Sequence, residues 1–183
     1  MPRLSIPESI EAAPSASRLV LEEIEKRRGS LSNLTRLMAN SPAALEGYLD
    51  MSDALGKGDL PAATRERIAL ALSEFHNCNY CLSAHVFHAR KQVRLDDAEI
   101  TANRSGASND IQAEAAVCFA LALARTRGQV STQQIDAIKA AGYDDAQIVE
   151  IVQQVALTTF TNYLSGVAAA EIDFPLVQSR PTR

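Results

Sequence analysis

The sequence predicts an all-α bundle, and three observations lead there. No stretch shows the convincing apolar–polar alternation of a half-buried strand. Alanine and leucine dominate, and both, like glutamate, are good helix formers. Start and stop signals recur at helical intervals with short connections between them, giving about eight helices in one domain spanning residues 1–183. A chain of 183 residues with 46% hydrophobic content can bury a sizeable core.

The elements follow in order. Residues 1–15 contain Pro2, Pro7 and Pro14 and are expected to form an irregular arm. Arg18 to Arg28 places Leu19, Val20, Leu21 and Ile24 among charges and stops at Gly29, the pattern of an amphipathic helix. Ser30 to Asn40 predicts a short helix with Leu34, Leu37 and Met38 inward. Ser41 as cap and Pro42 at the first position start a helix that runs to about Leu55, with Leu45, Leu49 and Leu55 as its core side. Gly56 to Asp59 is a linker. The next helix runs from Pro61 to about His76, and Asn77 is expected to cap another that extends to about Val93; residues 60–93 thus form the core pair. Leu95 to Asn103 is a short helix with Asp96 and Asp97 near its start. After Ser105-Gly106, Asn109 or Asp110 opens an alanine-rich helix through Ala124, ended by Gly128. Ser131-x-x-Gln134 is a capping-box pattern with Gly142 as the stop. Asp144-x-x-Gln147 starts a long last helix expected to end near Asp173-Phe174-Pro175.

Composition narrows the function. A net charge of -4 provides no basic footprint for nucleic acid and no polybasic membrane patch. The first residues lack the apolar stretch of a signal peptide, and no apolar run approaches a membrane span, so the expected compartment is the cytoplasm. Three cysteines suit a reactive pair plus one spare better than a disulfide framework. No P-loop, Gly-rich dinucleotide turn or Gly-x-Ser-x-Gly elbow is present, so no nucleotide or flavin cofactor is indicated.

One stretch clusters reactive residue types at a meaningful spacing: Cys78-x-x-Cys81-x-x-x-His85. On a helix, residues three or four apart share a face, so two thiols and an imidazole form one stripe, with Glu74 below and His88 above if the helix runs through. Dithiol redox chemistry wants this stripe, because Cys-x-x-Cys closes into a disulfide with little backbone movement and a His can take the thiol proton. Metal binding is a second reading, although three ligands fall short of the four of a structural zinc site. A third is two core cysteines beside an unrelated histidine.

Other residues are weighed against plain structural roles. Glu66 is a solvated partner of Arg65 or Arg67 unless the chain breaks near Asn77; in one straight helix it would lie about 22 Å from Cys81. Glu74 is a thiol-tuning group or a surface carboxylate. His76 and His88 read as surface or packing histidines. Tyr80 either hydrogen-bonds to the reacting group or packs over the site. Cys118, among Ala115, Ala116, Val117, Phe119 and Leu121, is expected to be a small buried hydrophobe.

Glu66, Ile68-Ala-Leu-Ala-Leu-Ser-Glu74 and Asn77-Cys-Asn-Tyr-Cys-Leu-Ser-Ala-His85 together resemble the core of the AhpD-like alkylhydroperoxidases of the carboxymuconolactone decarboxylase superfamily. The tail, Phe160-Thr-Asn-Tyr163 and Glu171-Ile-Asp-Phe-Pro175, resembles that of the peroxidase-related branch. The resemblance covers most of the chain from about Leu60. It implies an all-helical fold assembled as homo-trimers or hexamers, and reduction of hydrogen peroxide or organic hydroperoxides without haem, metal or other cofactor. It implies that Cys81 attacks the peroxide and Cys78 resolves the sulfenic acid, with Glu66 and His85 as a proton relay. A thiol reductant, in the best-known members a lipoylated adaptor, then restores the dithiol. Tyr80 stands where those members have a histidine, and Ser165-Gly166 stands where related tails have Asn-His. The true decarboxylases generally lack the cysteine pair, so Cys78 and Cys81 argue against ring-lactone decarboxylation.

Two physical arguments disagree over which cysteine attacks. With Asn77 as cap, Cys78 takes the first helical position and gains most from the helix dipole. His85, however, is in register with Cys81, while it lies about 10 Å along the axis from Cys78. A base within reach activates a thiol more directly than a partial dipole, so the expectation is attack by Cys81.

Overall fold

A computed structural model describes residues 2–180. Among these there are nine helices and no strand: α1 (Ser15–Arg28), α2 (Asn33–Met38), α3 (Pro42–Gly56), α4 (Ala62–Phe75), α5 (Asn79–Lys91), α6 (Asp97–Arg104), α7 (Ile111–Thr126), α8 (Thr132–Ala140) and α9 (Asp145–Ala168).

The caps explain most of the boundaries. Ser32, Ser41, Asp96 and Asp110 each accept the N–H three residues on, which supplies one of the orphan donors of a helix start. Ser131 with Gln134 and Asp144 with Gln147 form full capping boxes at α8 and α9. Gly29 closes α1 at φ 81°, a left-handed conformation that glycine adopts without a Cβ penalty.

Three boundaries differ from the sequence expectation. Helix α1 starts at Ser15 rather than Arg18, directly after Pro14. The residues before it are irregular but anchored: the Arg3 N–H donates to the Ala168 carbonyl and Asn40 donates to the Ser5 carbonyl. Helix α9 ends at Ala168, where Ala169 turns left-handed at φ 48°, and not near Asp173. The residues beyond run back across α5 as a strap. Val177 N–H donates to Ser83, Ser179 N–H to Asn79, and Arg180 N–H to Glu74.

The remaining difference sits between α4 and α5. Asn77 does not cap α5; it ends α4. Its φ of 53° is left-handed. Its N–H donates to Glu74 and the Cys78 N–H to Ser73, the paired bonds of a Schellman stop. Asparagine tolerates this conformation because its short polar side chain bonds locally. The cap of α5 is therefore Cys78, one residue outside the helix.

Helix α4 is the hub. It packs against α5, α6, α7 and α9, and Ile68 through Ser73 are all buried, as expected for a helix surrounded on every side. One core joins Ile68 and Leu72 to Ala116, Val117, Ala120 and Leu121 of α7 and to Ile138 and Ile151. A second gathers Leu21, Ile24, Leu34, Leu37, Met38 and Leu45 of the first three helices around Cys78, Tyr80 and Cys81. A third holds Leu70, Leu82, Val86, Ala89 and Ile100. The dithiol thus lies where α4, α5 and α9 meet the N-terminal helices.

Candidate active site

The Schellman turn decides the geometry of the site. Because the chain reverses at Asn77, α5 packs alongside α4 instead of extending it. Glu66 and His85, which a straight helix would hold roughly 28 Å apart, meet with Oε1 and Nδ1 2.8 Å apart. Both side chains are largely buried. Burial pulls the His85 imidazole down, but the Glu66 charge and hydrogen bond outweigh it, and the Cys78 thiolate adds to the pull, so the net shift is upward. A histidine so placed can hold a proton taken from a thiol and return it.

The two cysteines sit at the start of α5 and both are free thiols. Cys78 Sγ accepts the Cys81 N–H at 3.2 Å, acting as the side-chain cap of the helix. It also lies 2.9 Å from the Ser165 hydroxyl of α9, and Cys81 Sγ lies 3.6 Å from the same oxygen. Asn162, one turn earlier on α9, lies beside Cys81 and donates through Nδ2 to the Ser73 hydroxyl at 3.4 Å. Its Oδ1 is buried and has no hydrogen-bond partner among the described residues.

The thiols are unequal. The hydrogen bond from the Cys81 side chain lowers Cys78 most. Burial opposes this, while Ser165, the Cys81 N–H and the charge of His85 reinforce it, bringing Cys78 down to about 6. Cys81 moves the other way, because its neighbour takes the negative charge and burial disfavours a second one.

The other candidates take structural places. Tyr80 is buried; its hydroxyl donates to Asp173 at 2.8 Å and accepts the Leu34 N–H at 3.0 Å, and its ring meets Phe174 edge-on. It thereby ties the motif to α2 and to the strap. Glu74 neither tunes a thiol nor stands free at the surface. It pairs with Arg104 at 2.7 Å and accepts the Arg180 N–H, both side chains being largely buried. Since α5 is a separate helix, Glu74 is not on the stripe of Cys78, Cys81 and His85. His76 lies edge-on to Phe75 and Tyr163, and His88 bonds Gln92 beside Phe87 and Phe174. Cys118 is exposed, contrary to the buried place expected for it. Helix α7 turns Ala116, Val117, Phe119 and Ala120 inward, which leaves position 118 on the outer face.

Sequence reasoning missed Ser165 as a neighbour of both sulfurs, and Asn162 beside it. The one signal was the departure Ser165-Gly166 in the tail, but nothing local placed that turn of α9 beside a motif more than eighty residues earlier. Among the described residues, no group of three or more His, Cys, Asp or Glu side chains is arranged to hold a metal ion, and no helix is long and apolar enough to cross a membrane.

Residues 42–126, which span α3 to α7 and include the whole motif, match the carboxymuconolactone decarboxylase family. No curated protein sequence matches the chain significantly. Among solved structures, a peroxidase-related protein with an AhpD core from Ralstonia eutropha JMP134 superposes with a TM-score of 0.83, at 21% identity over 94% of this chain and 92% of its own. A peroxidase-related protein from Silicibacter sp. TM1040 gives 0.80 at 22% identity, over 93% and 91%. The debrominase Bmp8, in complex with 2,3,4-tribromopyrrole, gives 0.76 at 20% identity, over 94% and 93%. The match to the carboxymuconolactone decarboxylase family lies on the helices that build the site, and the fold of the peroxidase-related proteins is shared across almost the whole chain.

Proposed function

We propose that the protein is a cofactor-free thiol peroxidase that reduces hydrogen peroxide or organic hydroperoxides through a Cys78–Cys81 dithiol–disulfide cycle. The observation that carries this reading is two free thiols on one shared hydroxyl, beside a buried carboxylate–imidazole pair. A thiolate attacks the peroxide, the O–O bond breaks, and the sulfur becomes a sulfenic acid. The second thiol displaces hydroxide and closes the disulfide. Glu66 orients His85, and His85 carries the proton to the leaving oxygen. The peroxide gains two electrons, and the cysteine pair loses them.

A small-molecule dithiol or a lipoylated adaptor restores the thiols. The debrominase shares the fold and holds a bromopyrrole, so the fold alone does not choose the oxidant; the assay does. Peroxide consumption is expected with dihydrolipoamide and dithiothreitol and is to be compared with thioredoxin. Consumption no faster than the protein-free control with all three reductants would overturn the reading.

The same proposal includes a homo-oligomer, a trimer or a hexamer built from trimers. Helix α9 exposes Val149, Val152, Phe160, Tyr163 and Val167 at helical spacing, more apolar surface than a lone helix face usually shows to water. Light scattering at micromolar concentration tests it, and a stable monomer would contradict it.

A further inference from the structure

Helix α9 meets the dithiol with two uncharged polar side chains. Ser165 Oγ lies 2.9 Å from Cys78 Sγ, 3.6 Å from Cys81 Sγ and 3.1 Å from the Asn162 carbonyl. A hydroxyl has one proton to give and lone pairs to receive others. While both cysteines are protonated, Ser165 gives its proton to the Asn162 carbonyl and accepts from a thiol. Once Cys78 is ionised, the nearer and stronger acceptor is the sulfur, and the hydroxyl turns to it. Cys78 then holds donors from two directions, the Cys81 N–H at the start of α5 and Ser165. Cys81 lies farther from the hydroxyl and is 2% exposed, against 8% for Cys78.

We propose that Ser165 is a positioning residue that places the reactive thiolate on Cys78, so that Cys78 takes the oxygen and Cys81 resolves. This rests on the dithiol reading above and reverses the order that the family resemblance implies. In the first step the Cys78 thiolate forms an S–O bond to the peroxide, the O–O bond breaks, and the departing alkoxide takes the proton held by His85. In the second, Cys81 sulfur forms the S–S bond, the S–O bond of Cys78 breaks, and the leaving hydroxide takes the Cys81 proton as water. One peroxide is reduced to alcohol and water, and two thiols are oxidised to one disulfide.

The groups that titrate around Cys78 are Cys81 and His85 on α5, with Glu66 on α4 acting through His85. Tyr48 on α3 lies near Cys81, Glu66 and the Arg28 guanidinium of α1. From α9 only Ser165 and Asn162 face the sulfurs, and neither titrates. A change at Ser165 therefore alters the hydrogen bonding of the thiolate without removing a charge.

The test is site-resolved alkylation. Wild type, Ser165→Ala and Ser165→Thr are treated with iodoacetamide across a pH series, quenched, and read at Cys78, Cys81 and Cys118 by fragmentation mass spectrometry. In wild type Cys78 is labelled first and at the lowest pH. Ser165→Ala moves the Cys78 midpoint up by about one pH unit and leaves the exposed Cys118 unchanged, while Ser165→Thr keeps the wild-type midpoint. Cys81 labelling first at every pH, an unmoved Cys78 midpoint in Ser165→Ala, or a Ser165→Thr profile that follows Ser165→Ala would each overturn the proposal. The assay uses no peroxide, so absent turnover with a low, Ser165-dependent Cys78 midpoint would remove the peroxidase reading and leave this one standing.

Discussion

Two buried polar clusters face each other in character across this fold. Glu99 on α6 and Cys78 at the start of α5 are both buried, and both ionise well below their ordinary range. Glu99 is surrounded by donors: Arg67 Nε at 2.7 Å, Asn103 Nδ2 at 2.9 Å, the Ser108 hydroxyl at 2.5 Å and the Asn109 N–H at 2.8 Å. Burial raises it, but these donors win and bring it down to about 2. Every lone pair in use is held by a group that gains nothing from change. Cys78, by contrast, shares its stabilising hydroxyl with a second thiol. A shifted pKa is common to both clusters, so the shift by itself does not mark chemistry. What separates the two is a hydroxyl within reach of two thiols, which the α5–α9 cluster has.

The largest expected effect falls on the closed cluster. Glu99→Gln leaves Arg67 buried without its main counter-charge and should cost about 3 kcal/mol of stability, read as a lowered denaturant midpoint. Turnover per folded molecule should be unchanged; a drop in it would join the two clusters and break the comparison. The pH dependence follows from the same group. Its folded value is depressed from 4.5 to about 2. Its stabilisation is therefore complete above the unfolded value and disappears as pH falls from about 4.5 toward 2. In Glu99→Gln that part of the acid transition should flatten, and an unaltered acid profile would show that Glu99 is not its source.

The next effect lies in the open cluster. Glu66→Gln should slow peroxide reduction by at least about ten-fold, with little change in melting temperature, because it removes the orienting charge from His85 rather than a packed group. A wild-type rate would reduce the Glu66–His85 pair to a structural contact. The smallest effect concerns the tie between the site and its cover. Tyr80→Phe loses the hydrogen bond to Asp173 and leaves the Leu34 N–H unpaired, at a cost of about 1–2 kcal/mol. Faster proteolysis of residues 170–180 should accompany it; an unchanged cleavage rate would mean that Phe174 packing alone holds the strap.

Local signals explain why much of the fold was readable from the residues. Ser41-Pro42, Asp110, and the Ser131–Gln134 and Asp144–Gln147 boxes each act within four residues and stand where the sequence puts them. The stripe Cys78, Cys81, His85 was legible for the same reason. Asn77 was misread because asparagine serves equally as an N-cap and as a left-handed stop, and only the bonds to Ser73 and Glu74 distinguish the two. The end of α9 was misplaced because no glycine or proline marks Ala169. Ser165 and the exposure of Cys118 depend on which face of a long helix meets α4 and α5, a tertiary choice that an alanine-rich, apolar pattern leaves open. The condition attached to Glu66, a break near Asn77, was correct in form, and the Schellman turn meets it.

The most direct measurement of the central claim is a disulfide map after oxidation. The reduced protein is treated with one equivalent of hydrogen peroxide, blocked with a thiol reagent, digested and analysed by mass spectrometry. The account predicts a Cys78–Cys81 disulfide formed in near-stoichiometric yield, with Cys118 still alkylatable. Oxidation confined to Cys118, with Cys78 and Cys81 remaining as free thiols, would contradict it.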